Sequence, residues 1–210
     1  VIFEHKNYFI YGDARVGSTY LRSVLRNQGY NVEFAELHPS NLDFYCYAPE
    51  KFIRTELSNN QPFAIKIRSN TYDKLHELVE EFEHHKVFLY RNSISKQLKS
   101  LIIATITDKW AWLPDEDIIE IDAGEFDSMI KKIKENMYQS ILNLLRHYQL
   151  HHKKTNNIVI AMEDVVSISG GNIIPTPNKI YDGKDIDLSN DNRALKIIEM
   201  ANNLGFKMGL

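Results

Sequence analysis

The chain holds one cysteine, Cys46, among 210 residues. A disulfide framework and a cysteine-rich zinc site are both excluded, and the thiol reads as a small buried or half-buried side chain. Charge of one sign is also lacking: 25 Lys and Arg face 28 Asp and Glu, for a formal charge of −3. A broad basic face for nucleic acid is therefore not expected, although a local basic pocket for a small anion is compatible with that balance. No stretch approaches the roughly 18 consecutive apolar residues of a membrane-spanning helix. The opening residues Val1 to Lys6 show no basic-then-apolar signal pattern. The chain starts without Met, so a trimmed upstream segment is left open. A reducing, cytoplasmic compartment is the expectation.

What is present is globular. Hydrophobic residues make up 43% and charged residues 25%, near the averages for a packed domain. The length suits a single domain spanning 1–210. Short β-rich runs alternate with helical patterns, which predicts an α/β fold with a mostly parallel central sheet flanked by helices in three layers. Expected strands are Tyr8–Tyr11, Asn31–Phe34, Phe63–Ile67, Lys86–Tyr90 and Ile158–Met162. Expected helices follow Ser18 as far as Gly29, then cover Leu75–Phe82, Arg91–Ile103, Phe126–Tyr148 and Asn192–Asn203. Residues 38–60, 114–125 and 167–188 read as irregular or loop. A ligand is expected beyond the carboxyl ends of the strands.

The most informative stretch joins the first strand to its helix. Gly12-Asp13-Ala14-Arg15-Val16-Gly17-Ser18-Thr19 has the spacing of a triphosphate-binding P-loop at every position but one. Ser18 stands where that motif has its lysine, the residue that reaches the β- and γ-phosphates, so ATP or GTP is disfavoured as donor. A helix N-terminus still offers unpaired N–H groups to an anion, and Arg15 supplies a cation inside the loop. An ordinary glycine-containing βα turn is the plain alternative.

Arg15-Val16-Gly17-Ser18-Thr19-Tyr20-Leu21 resembles the 5′-phosphosulfate loop of the sulfotransferases that use 3′-phosphoadenosine 5′-phosphosulfate (PAPS). Val16 replaces the usual small residue of that family. The resemblance implies a P-loop-like fold in which Arg15 helps neutralise the bridging oxygen of the phosphosulfate. Gly17, Ser18 and Thr19 would cradle the 5′-phosphate, with Val16 and Tyr20 completing the loop. It also implies a 3′-phosphate site formed by an arginine ending a central strand and a serine on the next helix. Arg91 and Ser100 fit, one residue further apart than the family's usual spacing, and Ser93 and Ser95 are nearer hydroxyls. A rigid guanidinium fork suits a phosphate. Gln97 and the pair Lys109-Trp110 are similar to the bacterial, trehalose-type subgroup. Its Gly-Val-Lys-like strand matches Phe63–Ile67, so Lys66 faces either the active site or solvent.

Sulfuryl transfer to a hydroxyl needs a base at the acceptor and positive charge over the leaving phosphate. The resemblance implies Glu36 as the base, with His38 as rival because an imidazole titrates near neutrality and with Glu33 also in range. His38, Lys66 and Trp110 are candidate acceptor contacts; Trp112 and the Phe44-Tyr45-Tyr47 cluster line either a pocket or the core. The donor implied is PAPS, the product adenosine 3′,5′-bisphosphate, and no metal is required. A carbohydrate or other small acceptor is implied, with pairing into a homodimer and no nucleic-acid or membrane-spanning partner.

Two other readings stay open. One is a kinase-like phosphotransferase using ATP and magnesium held by Glu163 or Asp164, two residues that otherwise read as structural hydrogen-bond acceptors. The other is a catalytically inactive nucleotide-binding module. Lys179 and Lys184 in the glycine-containing 167–188 segment are weaker candidate phosphate contacts. His147 and His151 have a zinc-compatible spacing but no third ligand between them, and together with His84-His85 read as exposed helix ends.

Overall fold

The computed structural model describes residues 3, 7–35, 54–55, 58–59, 61–67, 84–108, 121–152, 157–168 and 185–210. Five strands form one sheet: β1 (Asn7–Tyr11), β2 (Asn31–Ala35), β3 (Phe63–Ile67), β4 (His85–Tyr90) and β5 (Asn157–Ala161). Helices among the described residues include α1 (Ser18–Asn27), α2 (Ile94–Thr107), α3 (Ala123–His151), α4 (Met162–Ile168) and α5 (Asn192–Asn203). Strand order is β2-β3-β1-β4-β5, and each neighbouring pair runs parallel. This is the expected α/β architecture. No helix among the described residues is long and apolar enough to cross a membrane.

Side-chain alternation along each strand splits the interior into two layers. Tyr8 and Ile10 of β1, Ala64 of β3 and Val87 and Leu89 of β4 pack with Leu21 and Leu25 of α1 and Val165 of α4. Phe9, Tyr11, Phe63, Ile65, Ile67, Phe88 and Tyr90 point the other way, onto α2, α3 and α5. Because both faces are covered, the strands are nearly continuous apolar runs, as buried parallel strands should be.

Several boundaries differ from expectation, each for a local reason. The helix expected from Arg91 begins at Ile94, where Ser93 takes the N-cap and its hydroxyl accepts the Lys96 N–H at 3.2 Å; the helix continues to Thr107 rather than Ile103. The loop expected through Glu125 ends earlier, because Asp122 caps α3 by accepting the Glu125 N–H at 2.9 Å. Met162 opens α4 instead of closing β5, and α4 runs on into the expected loop as far as Ile168. His147 is not a solvated helix end. It is 5% exposed, and its ring lies 4.5 Å from that of Tyr11, because it continues the buried stripe of Ile141 and Leu144. His84 is likewise buried, edge-on to Phe9, while His85 begins β4. The expected helix Leu75–Phe82 lies outside the described residues.

Candidate functional site

The chain leaves central β1 towards β2 on one side and later passes back to β4 on the other, so the loop after β1 lies where connections diverge. Open parallel sheets bind ligands at such points. Gly12 ties the loop's start to the end of β3, its N–H donating to Ile67 O at 3.4 Å. Arg15 has φ 61° and Gly17 has φ 79°, both in the left-handed region. For Arg15 that conformation costs about 1 kcal/mol or more, and strain of this kind concentrates at ligand sites. Turns that mix right- and left-handed residues are the kind of backbone that can curl successive N–H groups into an anion-accepting concavity. Gly17 then caps α1 with no side-chain hydrogen bond over the first turn.

Gly17 also marks a close approach. A Cβ on it would lie 2.1 Å from Met162 Cγ and 3.0 Å from Met162 Cβ, so α4 is wedged directly against the loop. Sequence reasoning missed Met162, since nothing local to β5 signals what its successor touches.

The cation absent from position 18 arrives from another strand. Lys66 sits on β3 in register with Ile10 of β1, fully buried, and its Nζ donates to Ser18 Oγ at 2.9 Å. Of the two orientations open for Lys66, the structure has the inward one, on the α1 side of the sheet with Ala64. A buried ammonium is retained only where polar partners satisfy it. Arg15 is anchored from the opposite direction by α2: its Nε donates to Ser100 Oγ at 2.8 Å, and Gln97 Nε2 donates to the carbonyl of Ala14 at 3.2 Å. The structure therefore brings together Arg15 and Ser100, two residues that the resemblance implies at different phosphates. Under the loop, Asp13, Val16, Tyr90, Gln97 and Met208 line a cavity of about 10 Å³, room for one water.

Arg91 follows β4 directly, so it shares the carboxyl edge of the sheet with the loop after neighbouring β1. Its side chain is 20% exposed, and its Nε lies 3.7 Å from Oε1 of Glu163. Burial pushes the guanidinium below its ordinary value, and the Glu163 carboxylate opposes that shift. An arginine so placed remains cationic at neutral pH. Glu163 Oε2 also accepts the Asn92 N–H at 3.2 Å, in keeping with its reading as a structural acceptor. The nearer serines are occupied: Ser93 donates to Leu210 O at 2.7 Å and lies 3.0 Å from Ser95 Oγ. A tail segment backs this turn, with Gly209 N–H donating to Asn92 O at 2.7 Å and Gly209 O accepting from Ile94 at 3.1 Å. No sequence signal pointed to that tail.

Val16 is buried beneath the loop, and Tyr20 lies half-buried on α1. Thr19 is on α1, but its side chain lies outside the described residues, as do Glu36, His38, Trp110, Trp112, Cys46, Lys179, Lys184 and the Phe44–Tyr47 cluster. No protein-family model matches the chain, and no curated protein matches it either.

Proposed function

We propose that the chain is a PAPS-dependent sulfotransferase acting on a hydroxyl of a carbohydrate or another small acceptor. The observation that carries the reading is the redistribution of charge around the loop. A triphosphate-binding loop carries its lysine where this chain has Ser18, whereas here Lys66 reaches that hydroxyl from β3 and Arg15 stands within the loop. Backbone N–H groups at Gly17 and Ser18, the Ser18 hydroxyl and two cations form a set of donors suited to a 5′-phosphosulfate. Arg91, at the same sheet edge, suits the 3′-phosphate.

In this reading the acceptor oxygen attacks sulfur as the bond from sulfur to the bridging oxygen breaks. The bridging oxygen keeps the electron pair, and Arg15 and Lys66 offset the charge that develops there. Glu36 takes the acceptor proton. Positioning and electrostatics are all the chemistry that the protein has to supply, as in phosphoryl transfer. The kinase-like alternative would draw on Glu163, whose two oxygens already face Arg91 and the Asn92 N–H. A homodimer, implied by the resemblance, and the cytoplasmic residence expected from the sequence belong to the same proposal.

Thermal denaturation tests the donor. At about a hundredfold excess over its Kd, adenosine 3′,5′-bisphosphate is expected to raise Tm by about 5–10 °C. Stabilisation by ATP with magnesium but not by the bisphosphate would reverse the choice in favour of a kinase. Labelled-sulfate transfer over sugars, lipids and phenols then separates an enzyme from an inactive module. Glu36→Gln is expected to keep the bisphosphate shift and lose turnover; normal turnover in that variant would remove Glu36 as the base.

A further inference from the structure

Arg91 and Glu163 are not a chance surface pair. Tyr90 of β4 and Ala161 of β5 are directly paired in the sheet, so the two side chains leave adjacent strands one and two residues beyond that pair. The Glu163 carboxylate is held at both ends, with one oxygen 3.7 Å from Arg91 Nε and the other accepting the Asn92 N–H at 3.2 Å. Backbone anchoring of this kind keeps the carboxylate from swinging away when a ligand arrives. At 3.7 Å the contact is an ion pair and not a hydrogen bond, and Arg91 Nε has no hydrogen-bond partner among the described residues, so the guanidinium keeps donors for a phosphate. That phosphate would sit in the field of a fixed negative charge.

We propose that Glu163 is a specificity-determining residue that limits how tightly Arg91 grips a phosphate monoester. The inference rests on the reading of Arg91 as the 3′-phosphate contact. Donor and product of sulfuryl transfer carry the same 3′-phosphate, so a resident carboxylate weakens the hold on both and favours departure of the spent nucleotide. Glu163 acts through Arg91 and touches no reacting atom. Its effect is confined to ligands that place a charge at that arginine.

Calorimetric titration of the full chain tests this. Glu163→Gln keeps a carbonyl oxygen able to accept the Asn92 N–H and removes only the charge. It is expected to bind adenosine 3′,5′-bisphosphate about tenfold more tightly than the parent, by an amount that shrinks as salt rises. Adenosine 5′-monophosphate, which lacks the 3′-phosphate, should bind both proteins within about twofold. A merely structural role would not separate the two nucleotides. Glu163→Asp, which draws the charge back by one methylene, should fall between the two and serves equally if the glutamine variant does not fold. Bisphosphate binding that is unchanged or weaker in the variants overturns the inference and leaves the sulfotransferase reading standing. Equal tightening for both nucleotides also overturns it, because the charge would then act on the whole site. If neither parent nor variant binds the bisphosphate, the inference and the functional reading fall together.

Discussion

Gly17→Ala is expected to lower stability by about 2–5 kcal/mol and to remove nucleotide binding. Two separate costs add. The backbone at this position has φ 79°, a conformation that costs a residue bearing a Cβ about 1–2 kcal/mol. The new methyl would also overlap Met162, with its Cγ at 2.1 Å and its Sδ at 2.6 Å, and overpacking of that order costs about 1–3 kcal/mol. Relief by moving Met162 or the loop displaces the loop amides that the proposed function assigns to the 5′-phosphate, so binding is expected to suffer beyond the loss of stability. Gly29 provides the control. Its φ is 88°, yet among the described residues nothing lies within 4 Å of a Cβ there, so Gly29→Ala should show the backbone cost alone and bind normally. Combining Gly17→Ala with Met162→Ala should restore part of the stability, because the overlap is removed and the backbone cost is not. Denaturant melts and bisphosphate titration check all three variants. A Gly17→Ala protein that matches its parent in both would refute the close packing of α4 on the loop.

Lys66→Met is expected to slow turnover sharply. The ammonium lies on Ser18, the residue that opens α1, where it adds positive charge to a loop whose own sequence has no lysine at that position. Removing a preorganised donor from charge developing in the transition state typically costs about 10²–10³ in rate. Lys66→Arg keeps the charge on a differently shaped head and should recover only part of the loss. The measurement is kcat/KM for labelled-sulfate transfer. Unchanged kcat/KM in Lys66→Met would make this lysine a packing residue of β3 and return the loop to Arg15 alone.

Local pattern made β1, the loop and α1 legible in the sequence. Tyr8–Tyr11 is apolar throughout, the glycines of the loop have phosphate-loop spacing, and Gly29 closes the helix where φ turns positive. Helix starts are legible from the caps, and the apolar period alone sets them too early at Arg91 and too late at Phe126. Ser93 ahead of Lys96 and Asp122 ahead of Glu125 both have the side-chain oxygen and spacing of an N-cap. The orientation of Lys66 was not readable, because a lone lysine in an apolar strand is compatible with either face until the neighbouring helix is in place. The same holds for contacts made across the sheet edge. Met162 against Gly17, Glu163 against Arg91 and Gly209 against Asn92 join segments about 70 or more residues apart in the chain, and no periodicity encodes them. His147 is the opposite case. Its place three residues after Leu144 on α3 put it on the buried stripe, and its polar side chain masked a position that the helical period marked as interior.

In the proposed function the loop after β1 and the arginine after β4 hold the two ends of one nucleotide. Phosphorus NMR of adenosine 3′,5′-bisphosphate bound to the parent and to Arg91→Ala tests it directly. Both resonances should shift on binding to the parent, and in Arg91→Ala the 3′-phosphate resonance should return towards its free position while the 5′-phosphate resonance stays displaced. A 3′-phosphate signal indifferent to the loss of Arg91, or a parent protein that moves neither resonance, would contradict the account.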